Sequence, residues 1–378
     1  MDVRWCQWDA RSGWRSPLAT ELDGPTTLVL VFAGGSRTQV GQLPPDLAEG
    51  FAQSVVLGCS TAGEILSDQV YDDTVTVAVA RFAHTSLALA TAELARPGQS
   101  FAAGEQLARQ LLGDGLRAVL VLAPGLAVNG SDLVRGLAAQ LPADVLVTGG
   151  LAGDGTRFGA TWVLAHGELA SGTAVAVGFY GDRIVLGHGS RGGWEGFGPE
   201  RLITRADGNV LLELDGKPAL SLYRQYLGDL AADLPASGLR FPLAVRESLT
   251  AERSLVRTLL AVDDDAMSMT FAGDVPQGWY AQLMGADSDQ LLDGAAEAAE
   301  QAIDAALPGP MLAVAISCVG RRMLMGENVD EELERTSAEL PPGSVQIGFY
   351  SFGELSPSAT GVCELHNQTM TLTTFAEI

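Results

Sequence analysis

The chain repeats a short segment near its two ends. Residues 54–65 read S-V-V-L-G-C-S-T-A-G-E-I, and residues 344–355 read S-V-Q-I-G-F-Y-S-F-G-E-L. Ser, Val, two Gly and Glu are identical at matching positions. Each copy is an apolar run, then a glycine-bounded turn that ends in Gly-Glu. Because loops at strand ends carry function more often than strands do, each copy is predicted to place an acidic group in a functional loop.

The distance between the copies limits the architecture. They lie about 290 residues apart, whereas solenoid repeats have periods of roughly 20–50 residues. The spacing therefore favours two related halves, and a weaker echo, V-L-V-T-G-G-L-A-G-D, lies between them at 145–154. A chain of 378 residues is too long for one ordinary core. We expect an N-terminal extension at 1–26, a first domain at 27–216 and a second at 217–378.

Alternating apolar runs and helical patterns predict the fold class. Helices are expected at 44–52, 100–112 and 131–141, with Ser100 and Ser131 as N-caps because their hydroxyls can accept a free backbone N–H. Further helices are expected at 219–227, directly after Pro218, and at 330–339, with an acidic face in solvent. Strands at 74–82 and 86–92, and at 173–180 and 183–190, are close enough in sequence to predict antiparallel hairpins. Strands interleaved with helices indicate an α/β fold. We expect two related domains with mixed, partly antiparallel sheets flanked by helices.

Composition excludes several partners. The net charge of −23 and the pI of about 4.4 argue against nucleic acid or an anionic membrane, since both need a basic face. No apolar stretch reaches the ~18 residues of a membrane span, and the N-terminus lacks a secretory pattern. The cysteines are sparse and lack the spacing of a metal site, which predicts reduced thiols in a cytoplasmic protein. They are Cys6, Cys59, Cys318 and Cys363.

A strand-end motif suggests an anion site. Ser317 and Cys318 follow an apolar run, and Arg321 comes three residues later. We expect this strand to end at the rim of the sheet, where the guanidinium would be accessible to a carboxylate and would lower the pKa of the thiol. The alternative is a small buried cysteine at a strand end with an arginine in solvent.

His366 and Asn367 precede the last predicted strand, and Cys363 lies three residues before the histidine. A structural zinc needs about four ligands, so no metal site is predicted from this pair. His366 is also suited to be an axial ligand of haem iron. The other interpretation is a polar turn whose side chains contact a ligand or the backbone.

Glu64 and Glu354 end the two matched turns and are predicted to face one shared cleft. A carboxylate suits an amine, and together with Arg321 it would suit an amino acid. Alternatively, each glutamate caps backbone amides or joins an ion pair. The preceding residues, Gly63 and Gly353, are expected to have positive φ, which glycine reaches without a steric cost.

Several of these motifs together resemble the FIST sensory family. The residues are G-C-S-T-A-G-E-I at 58–65, T-R-A-D-G-N-V at 204–210, L-D-G-K-P-A at 214–219, S-C-V-G-R at 317–321, G-F-Y-S-F-G-E-L at 348–355 and H-N-Q-T-M-T-L at 366–372. They stand in the order of the N-terminal and C-terminal FIST parts, and the resemblance runs from about residue 27 onward.

The resemblance implies an intracellular ligand-sensing module of bacterial signal transduction. Modules of this family are proposed to bind small molecules such as amino acids, and they occur fused to histidine kinases, chemoreceptors and cyclic-dinucleotide enzymes. Some stand-alone members bind haem, sense nitric oxide and regulate a separate histidine kinase. This sequence shows no kinase or cyclase motif, so it is predicted to be a stand-alone member acting on a separate partner.

We therefore expect a non-enzymatic sensor of an amino-acid-like metabolite, without a cofactor. One alternative is a haem-based nitric-oxide sensor, and a second is an enzyme with Cys318 as nucleophile and His366 as base. The predicted ligand contacts are Cys59, Ser60, Thr61, Glu64, Ser317, Cys318, Arg321, Tyr350, Glu354, His366 and Asn367.

Overall fold

A computed structural model describes residues 1–34, 43–94, 96–251, 254–303, 309–358 and 361–378. It has an α/β fold with several mixed sheets, as predicted. The helices are α1 (Pro45–Gly50), α2 (Ser100–Leu111), α3 (Gly130–Ala138), α4 (Ala219–Leu227), α5 (Ser288–Ala302), α6 (Val319–Met325) and α7 (Val329–Ala338). The strands of the first half are β1 (Asp2–Asp9), β2 (Gly13–Trp14), β3 (Thr27–Ala33), β4 (Val55–Ser60), β5 (Glu64–Leu66), β6 (Gln69–Tyr71), β7 (Val75–Arg81), β8 (Ser86–Glu93), β9 (Leu116–Pro124), β10 (Leu146–Ala152), β11 (Val163–Ala165), β12 (Glu168–Ala170), β13 (Thr173–Tyr180) and β14 (Ile184–Arg191). Those of the second half are β15 (Glu195–Asp207), β16 (Val210–Leu214), β17 (Lys217–Pro218), β18 (Leu243–Arg246), β19 (Leu255–Arg257), β20 (Leu259–Asp263), β21 (Ser268–Phe271), β22 (Tyr280–Gly285), β23 (Leu312–Cys318), β24 (Val345–Ser351), β25 (Gly353–Pro357), β26 (Cys363–His366) and β27 (Met370–Glu377).

The core repeats one arrangement of strands three times. Each repeat begins with two parallel strands joined through a helical connection: β3–β4 through α1, β9–β10 through α3, and β23–β24 through α6 and α7. A hairpin follows each pair, namely β5–β6, β11–β12 or β25–β26. A last strand, β7, β13 or β27, then pairs antiparallel with the first. The segment at 145–154, which the sequence suggested only as a weak echo, is thus a full third copy rather than a remnant beside two halves.

Each repeat places its hairpin in the sheet of a neighbouring repeat. β5 pairs with β24, β11 with β4, and β25 with β10. Two of the three core sheets therefore combine strands from both sides of the expected boundary at 216/217. The domain boundary itself stays a prediction.

The expected local hairpins at 74–92 and 173–190 are wrong. β8 pairs with β13 rather than with β7, and β14 pairs with β27 rather than with β13. In each case the chain leaves one sheet at the turn and enters the next. β1, within the expected N-terminal extension, pairs along β7 and takes the equivalent place in the remaining core sheet.

A glycine in each repeat permits the parallel strands to approach. Gly58, Gly149 and Gly348 lie opposite Val31, Val121 and Ala315, respectively. A Cβ atom at any of the three glycines would collide with the backbone carbonyl of the residue opposite. These positions therefore tolerate only glycine without a shift of the sheet.

The turns after the parallel strands meet and form a closed set of three backbone hydrogen bonds. The amide of Gly153 donates to the carbonyl of Ser60 over 3.1 Å, and the amide of Ala62 donates to Tyr350 over 2.8 Å. The amide of Phe352 completes the set by donating to Leu151 over 3.0 Å. Every donor and every acceptor occupies the same place in its repeat. The three turns that follow β4, β10 and β24 thus lie together at one end of the core.

The strands that flank these turns are buried on both faces, as expected for parallel strands covered by helices. In β3, Leu28, Leu30 and Phe32 enter a central core shared by the repeats. Val29 and Val31 face the opposite side, where they pack in a cluster with Leu47 of α1. The turns therefore start from rigid positions.

An eight-stranded arrangement, β15 to β22, is inserted between the second and third repeats. It has its own hydrophobic core, which includes α4. We call residues 195–285 the inserted module. The predicted start of α4 directly after Pro218 is confirmed.

Two predicted helix caps are wrong. Ser100 lies within α2 and donates its hydroxyl hydrogen to the carbonyl of Pro97 over 2.7 Å. α3 begins earlier than expected because Asn129, not Ser131, accepts the backbone N–H of Asp132 over 3.1 Å.

Replacing Gly348 by alanine should destabilise the core, because the new methyl group overlaps a carbonyl in a strand pair that has no room to separate. Overpacking of this kind typically costs about 1–3 kcal/mol. Urea unfolding measures the loss, with Gly98→Ala as the control because no atom lies within 4 Å of a Cβ at that glycine. Equal stability of the two variants would contradict the close-approach argument.

Candidate functional site

Glu64 is a fully buried carboxyl held by hydroxyl and amide groups of its own repeat. One carboxyl oxygen accepts a hydrogen bond from the hydroxyl of Thr61. The other accepts from the backbone N–H of Thr74 over 2.9 Å and from its hydroxyl over 2.8 Å. The side chain has no solvent exposure.

Glu354 has the same set of partners in the third repeat. Its Oε1 accepts from the hydroxyl of Ser351 over 2.5 Å, and its Oε2 accepts from the amide and hydroxyl of Thr369 over 3.2 and 3.0 Å. It is also fully buried. The matched sequence segments therefore produce matched polar sites.

Burial raises the pKa of both carboxyls. In each, removal from water raises the pKa from 4.5 to about 8, and this outweighs the hydrogen bonds that favour the charged form. At neutral pH both groups are therefore mainly neutral. They can donate as well as accept a hydrogen bond.

The two glycines before these glutamates differ. Gly63 has φ of +133°, as predicted, whereas Gly353 is not among the glycines with positive φ. The prediction for Gly353 is wrong because this glycine is already the first residue of strand β25. A Cβ at Gly353 would lie 2.9 Å from Leu365 Cδ1.

Glu64 lines a cavity, and the residue beside it explains why. The carboxyl lies next to Gly34, which follows β3, whereas the equivalent position in the third repeat is Cys318, the last residue of β23. The resulting cavity has a volume of about 580 Å³, and we call it the Glu64 cavity. Its lining is Gly34, Thr61, Ala62, Gly63, Glu64, Asp72, Asp73, Gly155, Thr156, Arg157, Val319, Arg322, Met323, Gly326 and Glu327.

The prediction that Glu64 and Glu354 share one cleft is wrong. Glu354 is not among the described residues that line the Glu64 cavity. Its partner Thr369 instead lines a second cavity of about 290 Å³. The threefold arrangement separates the two acids by placing them in different repeats.

Arg322 joins the third repeat to the first at the Glu64 cavity. Its guanidinium donates to both carboxylate oxygens of Asp72 over 2.9 and 2.6 Å, and it also donates to the carbonyl of Ala62. The guanidinium carbon lies 5.7 Å from the centre of the Tyr350 ring. The Asp72 side chain is 65% exposed and that of Arg322 is 23% exposed, so a ligand can compete for this pair.

A second arginine, Arg157, enters the cavity from the second repeat. Its loop is held by Asp154, whose carboxylate accepts the backbone N–H groups of Phe158, Gly159 and Ala160 over 3.0, 2.7 and 2.9 Å. By the register of the strands, Gly155 takes the place of Glu64 in this repeat, and Asp154, one residue before it, orders a loop instead of lining the cavity. Arg157 forms no ion pair with any residue in the ranges that the structure describes.

Arg321 does not lie at an accessible rim, and that prediction is wrong. It lies in the first turn of α6, directly after β23, has no solvent exposure and pairs with Glu332 of α7 over 2.6 Å. The other oxygen of Glu332 accepts from Ser317 over 3.0 Å and from the Tyr350 hydroxyl over 2.7 Å. Three predicted ligand contacts, Ser317, Arg321 and Tyr350, are therefore partners in one buried network. Their role as ligand contacts stays a prediction.

The predicted cysteines are also inside the protein. Cys59 packs in the central core, and Cys318 is 2% exposed. Burial raises the pKa of the Cys318 thiol well above its ordinary value, and this outweighs the lowering by Arg321. A nucleophilic cysteine needs a lowered pKa, so this environment gives no support to the enzyme alternative. Ser60 is buried as well, and its hydroxyl accepts the Trp162 amide over 3.1 Å.

His366 and Asn367 line the second cavity, between the core and the inserted module. Its lining mixes polar residues, among them Ser190, Arg191 and Thr369, with the apolar side chains of Trp194, Val256, Met284 and Pro357. Drug-sized sites occupy about 300–1,000 Å³, so at about 290 Å³ this cavity lies at the lower limit of that range. The haem alternative stays a prediction, and we derive no function through it.

Sequence reasoning missed the charged residues that line the Glu64 cavity. Arg322 follows the predicted contact Arg321, but nothing in the sequence showed that the two side chains point to different places. Asp72 and Asp73 stood in an acidic turn before β7, which is a signal that could have been used. Arg157 carried no local signal, because its place depends on Asp154.

Other features do not compete with this site. A cavity of about 980 Å³ lies against α1 and β12, but it contains none of the predicted site residues. Among the described residues, no group of three or more His, Cys, Asp or Glu side chains could hold a metal ion. The described helices are too short or too polar to cross a membrane.

Comparison with known proteins agrees with this arrangement of motifs. A family model of the FIST N domain matches residues 27–217, and one of the FIST C domain matches residues 219–357. The chain belongs to the FIST family. FIST domains are sensory domains that bind small ligands in signal transduction.

Similar proteins from mycobacteria are described as uncharacterised. One protein of Mycobacterium tuberculosis is 29% identical over 254 residues, which is 65% of this chain and 64% of the relative. A protein of Mycobacterium bovis is 30% identical over 245 residues, which is 61% of this chain and 60% of the relative. The matches thus span less than two thirds of either relative. A cyanuric acid hydrolase from A. caulinodans covers 99% of this chain and 98% of its own, but at 10% identity and a TM-score of 0.34 it carries no argument.

Neutralising Glu64 should change how stability depends on pH. An unfolded carboxyl loses its proton near pH 4.5 and the folded one near pH 8, so between these values the folded state holds more protons. The contribution of Glu64 to the free energy of unfolding is complete below pH 4.5 and falls as the pH rises, by at most about 1.4 kcal/mol per pH unit. The contribution is lost above pH 8. Because Glu354 contributes a slope of the same kind, Glu64→Gln and Glu354→Gln should each remove about half of the total slope.

Urea unfolding at a series of pH values from 4.5 to 9 measures the effect. Glu334→Gln, at an exposed glutamate of α7, serves as the control and should leave the slope of the parent protein unchanged. A slope identical in all three variants would refute the assignment of protonated carboxyls at the turns.

The native cysteines should resist alkylation. All four are buried, and burial raises the pKa of Cys318, so the reactive thiolate is scarce and shielded. Mass spectrometry after iodoacetamide treatment at pH 8 should find no modified cysteine, and treatment in urea should modify all four. Rapid native modification of Cys318 would restore the enzyme alternative.

Proposed function

We propose that this FIST protein senses a small amino-acid-like metabolite and that the Glu64 cavity holds it. The observation that carries the proposal is the charge arrangement in that cavity. Two arginines and four acidic side chains from the three repeats line one space of about 580 Å³. Pockets for small ligands commonly have 300–1,000 Å³ and a few convergent polar groups.

Arg157 is the proposed partner of the ligand carboxylate. It lines the cavity, is exposed, and forms no ion pair within the described ranges. A planar guanidinium can donate two parallel hydrogen bonds to a carboxylate. Its loop is ordered by three hydrogen bonds from backbone N–H groups to the Asp154 carboxylate. This order lowers the entropy that is lost when a ligand binds.

The proposed site for the ligand ammonium is the acidic side of the cavity. Asp73 and Glu327 line it, and Asp72 adds a carboxylate shared with Arg322. Glu64, mainly neutral at pH 7 because burial raises its pKa to about 8, would supply a hydrogen bond rather than a charge. The cavity then offers separated positive and negative groups, which matches a zwitterion.

Binding would favour one arrangement of the three repeats and so act on a separate signalling protein. A histidine kinase is the proposed partner class, by similarity to the family, and the proposed location is the cytoplasm. The net charge of −23 supports a protein partner rather than nucleic acid.

A thermal-shift screen of the twenty amino acids tests the proposal. A ligand at about 100 times its dissociation constant stabilises the folded state by roughly 2.7 kcal/mol. For the amino acid that binds, Arg157→Ala should weaken affinity by about 10- to 100-fold, since a charge-assisted hydrogen bond contributes roughly 1.5–3 kcal/mol. Calorimetry measures the loss.

Two controls isolate the carboxylate contact. Arg183→Ala removes an exposed arginine outside the cavity lining and should leave affinity unchanged. The amide of the same amino acid, which lacks the carboxylate, should bind the parent protein and Arg157→Ala equally weakly. Binding that is unaffected by Arg157→Ala, or the absence of any amino-acid ligand, would refute the proposed function.

A further inference from the structure

We propose that α6 transmits occupancy of the Glu64 cavity to the inserted module, and that Arg321 is the residue that fastens the module to the core. The proposal rests on the proposed function in that it takes the Glu64 cavity as the ligand site. Two consecutive arginines of one short helix carry it. One contacts the cavity, and the other contacts both connections between the core and the module.

Arg322 is the cavity end of this link. Its guanidinium holds Asp72 through two hydrogen bonds of 2.9 and 2.6 Å and also holds the carbonyl of Ala62. Both partners lie in the first repeat, whereas α6 lies in the third. A ligand that engages either Arg322 or Asp72 competes with this pair and changes the force on α6.

Arg321 is the module end. Its Nη1 donates to the carbonyl of Gly192, just before the chain enters the module at β15, and its Nη2 donates to the carbonyl of Leu291 over 2.7 Å. Leu291 lies in the first turns of α5, directly after the chain leaves the module. A single guanidinium therefore joins the entry and exit segments.

The buried position of Arg321 makes this junction sensitive to small movements. Glu332 neutralises its charge over 2.6 Å, and neither side chain is exposed. Removing one partner of a buried ion pair is strongly destabilising, because it leaves the other charge uncompensated. When α6 moves, the two connections must therefore move with the guanidinium or lose these bonds.

α6 also contacts the module directly. It packs against the 3-10 turn Ala236–Arg240 of the module. Gln368 lies against Gly320 of α6 and donates to the carbonyl of Leu239 over 2.9 Å. Movement of the helix thus reaches the module both through its connections and through its surface.

The remaining contacts between the module and the core include side-chain hydrogen bonds, which can break and re-form with other partners. Arg257 donates to the carbonyl of Leu365 over 3.1 Å, and Asn129 donates to Asp274 over 3.1 Å. The module keeps its own hydrophobic core. Units joined by polar contacts can shift relative to one another without unfolding, and packed helices shift by about 1–2 Å in such transitions.

Hydrogen–deuterium exchange on the ligand-free protein tests the link without knowledge of the ligand. Asp72→Asn and Arg322→Gln each weaken the cavity pair. Both should speed amide exchange by about threefold or more in the connections at 192–195 and 286–291. Arg109→Gln, which breaks an exposed pair with Glu105 on α2, is the matched control and should leave those amides unchanged.

A double-mutant comparison tests Arg321 itself. Arg321→Met combined with Glu332→Leu replaces the buried pair by apolar side chains and leaves no uncompensated charge. The connections should then exchange faster, and adding Asp72→Asn should give no further increase, because the link is already broken. If this variant does not fold, the Asp72 and Arg322 variants alone decide the proposal.

Faster exchange confined to residues near the cavity, with unchanged connections, would overturn the proposal, as would additive effects in the combined variant. The outcome is independent of the ligand. If no amino acid binds but both cavity variants loosen the connections, the mechanical link stands and the proposed function fails. If an amino acid binds and the connections do not respond, the reverse holds.

Discussion

The three backbone hydrogen bonds between the turns are the constraint on which the rest of the core depends. They link Gly153 to Ser60, Ala62 to Tyr350 and Phe352 to Leu151. They form because a glycine in each repeat removes the Cβ that would hold two parallel strands apart. Once the turns meet, Glu64 and Glu354 at the ends of two of them have fixed positions. The backbone geometry therefore fixes where the side chains of these turns begin.

The three turns have been given three different uses. Glu64 faces a cavity with Gly34 beside it, whereas Cys318 takes the place of Gly34 in the third repeat. In the second repeat Gly155 takes the place of the glutamate, and Asp154, one residue before it, orders a loop through three backbone amide groups. Differences at single residues have thus given a nearly symmetric core three unlike turns.

The sequence predicted the fold class, the start of α4 and the similarity of two acidic turns, because these features depend on local pattern and on repeated motifs. It could not predict which sheet each hairpin joins, since the partner of β8 lies far along the chain in β13. It also assigned Arg321 to the surface. That error has a physical origin, since an arginine is buried only when a distant partner neutralises it, and Glu332 was hidden within an acidic helix expected to face solvent.

The position of β1 has a consequence for how the polypeptide is threaded. After β7 the chain enters the second sheet as β8, and after β13 it enters the third sheet as β14. β1 takes the corresponding place beside β7 in the first sheet. The amino group of Met1 lies 3.7 Å from the carboxylate of Glu377. The core is in effect a closed cycle of three units that is opened between β27 and β1. The fold should therefore be indifferent to where the cycle is cut, so a circular permutant that joins these strands and opens an exposed turn in another repeat can keep every sheet intact.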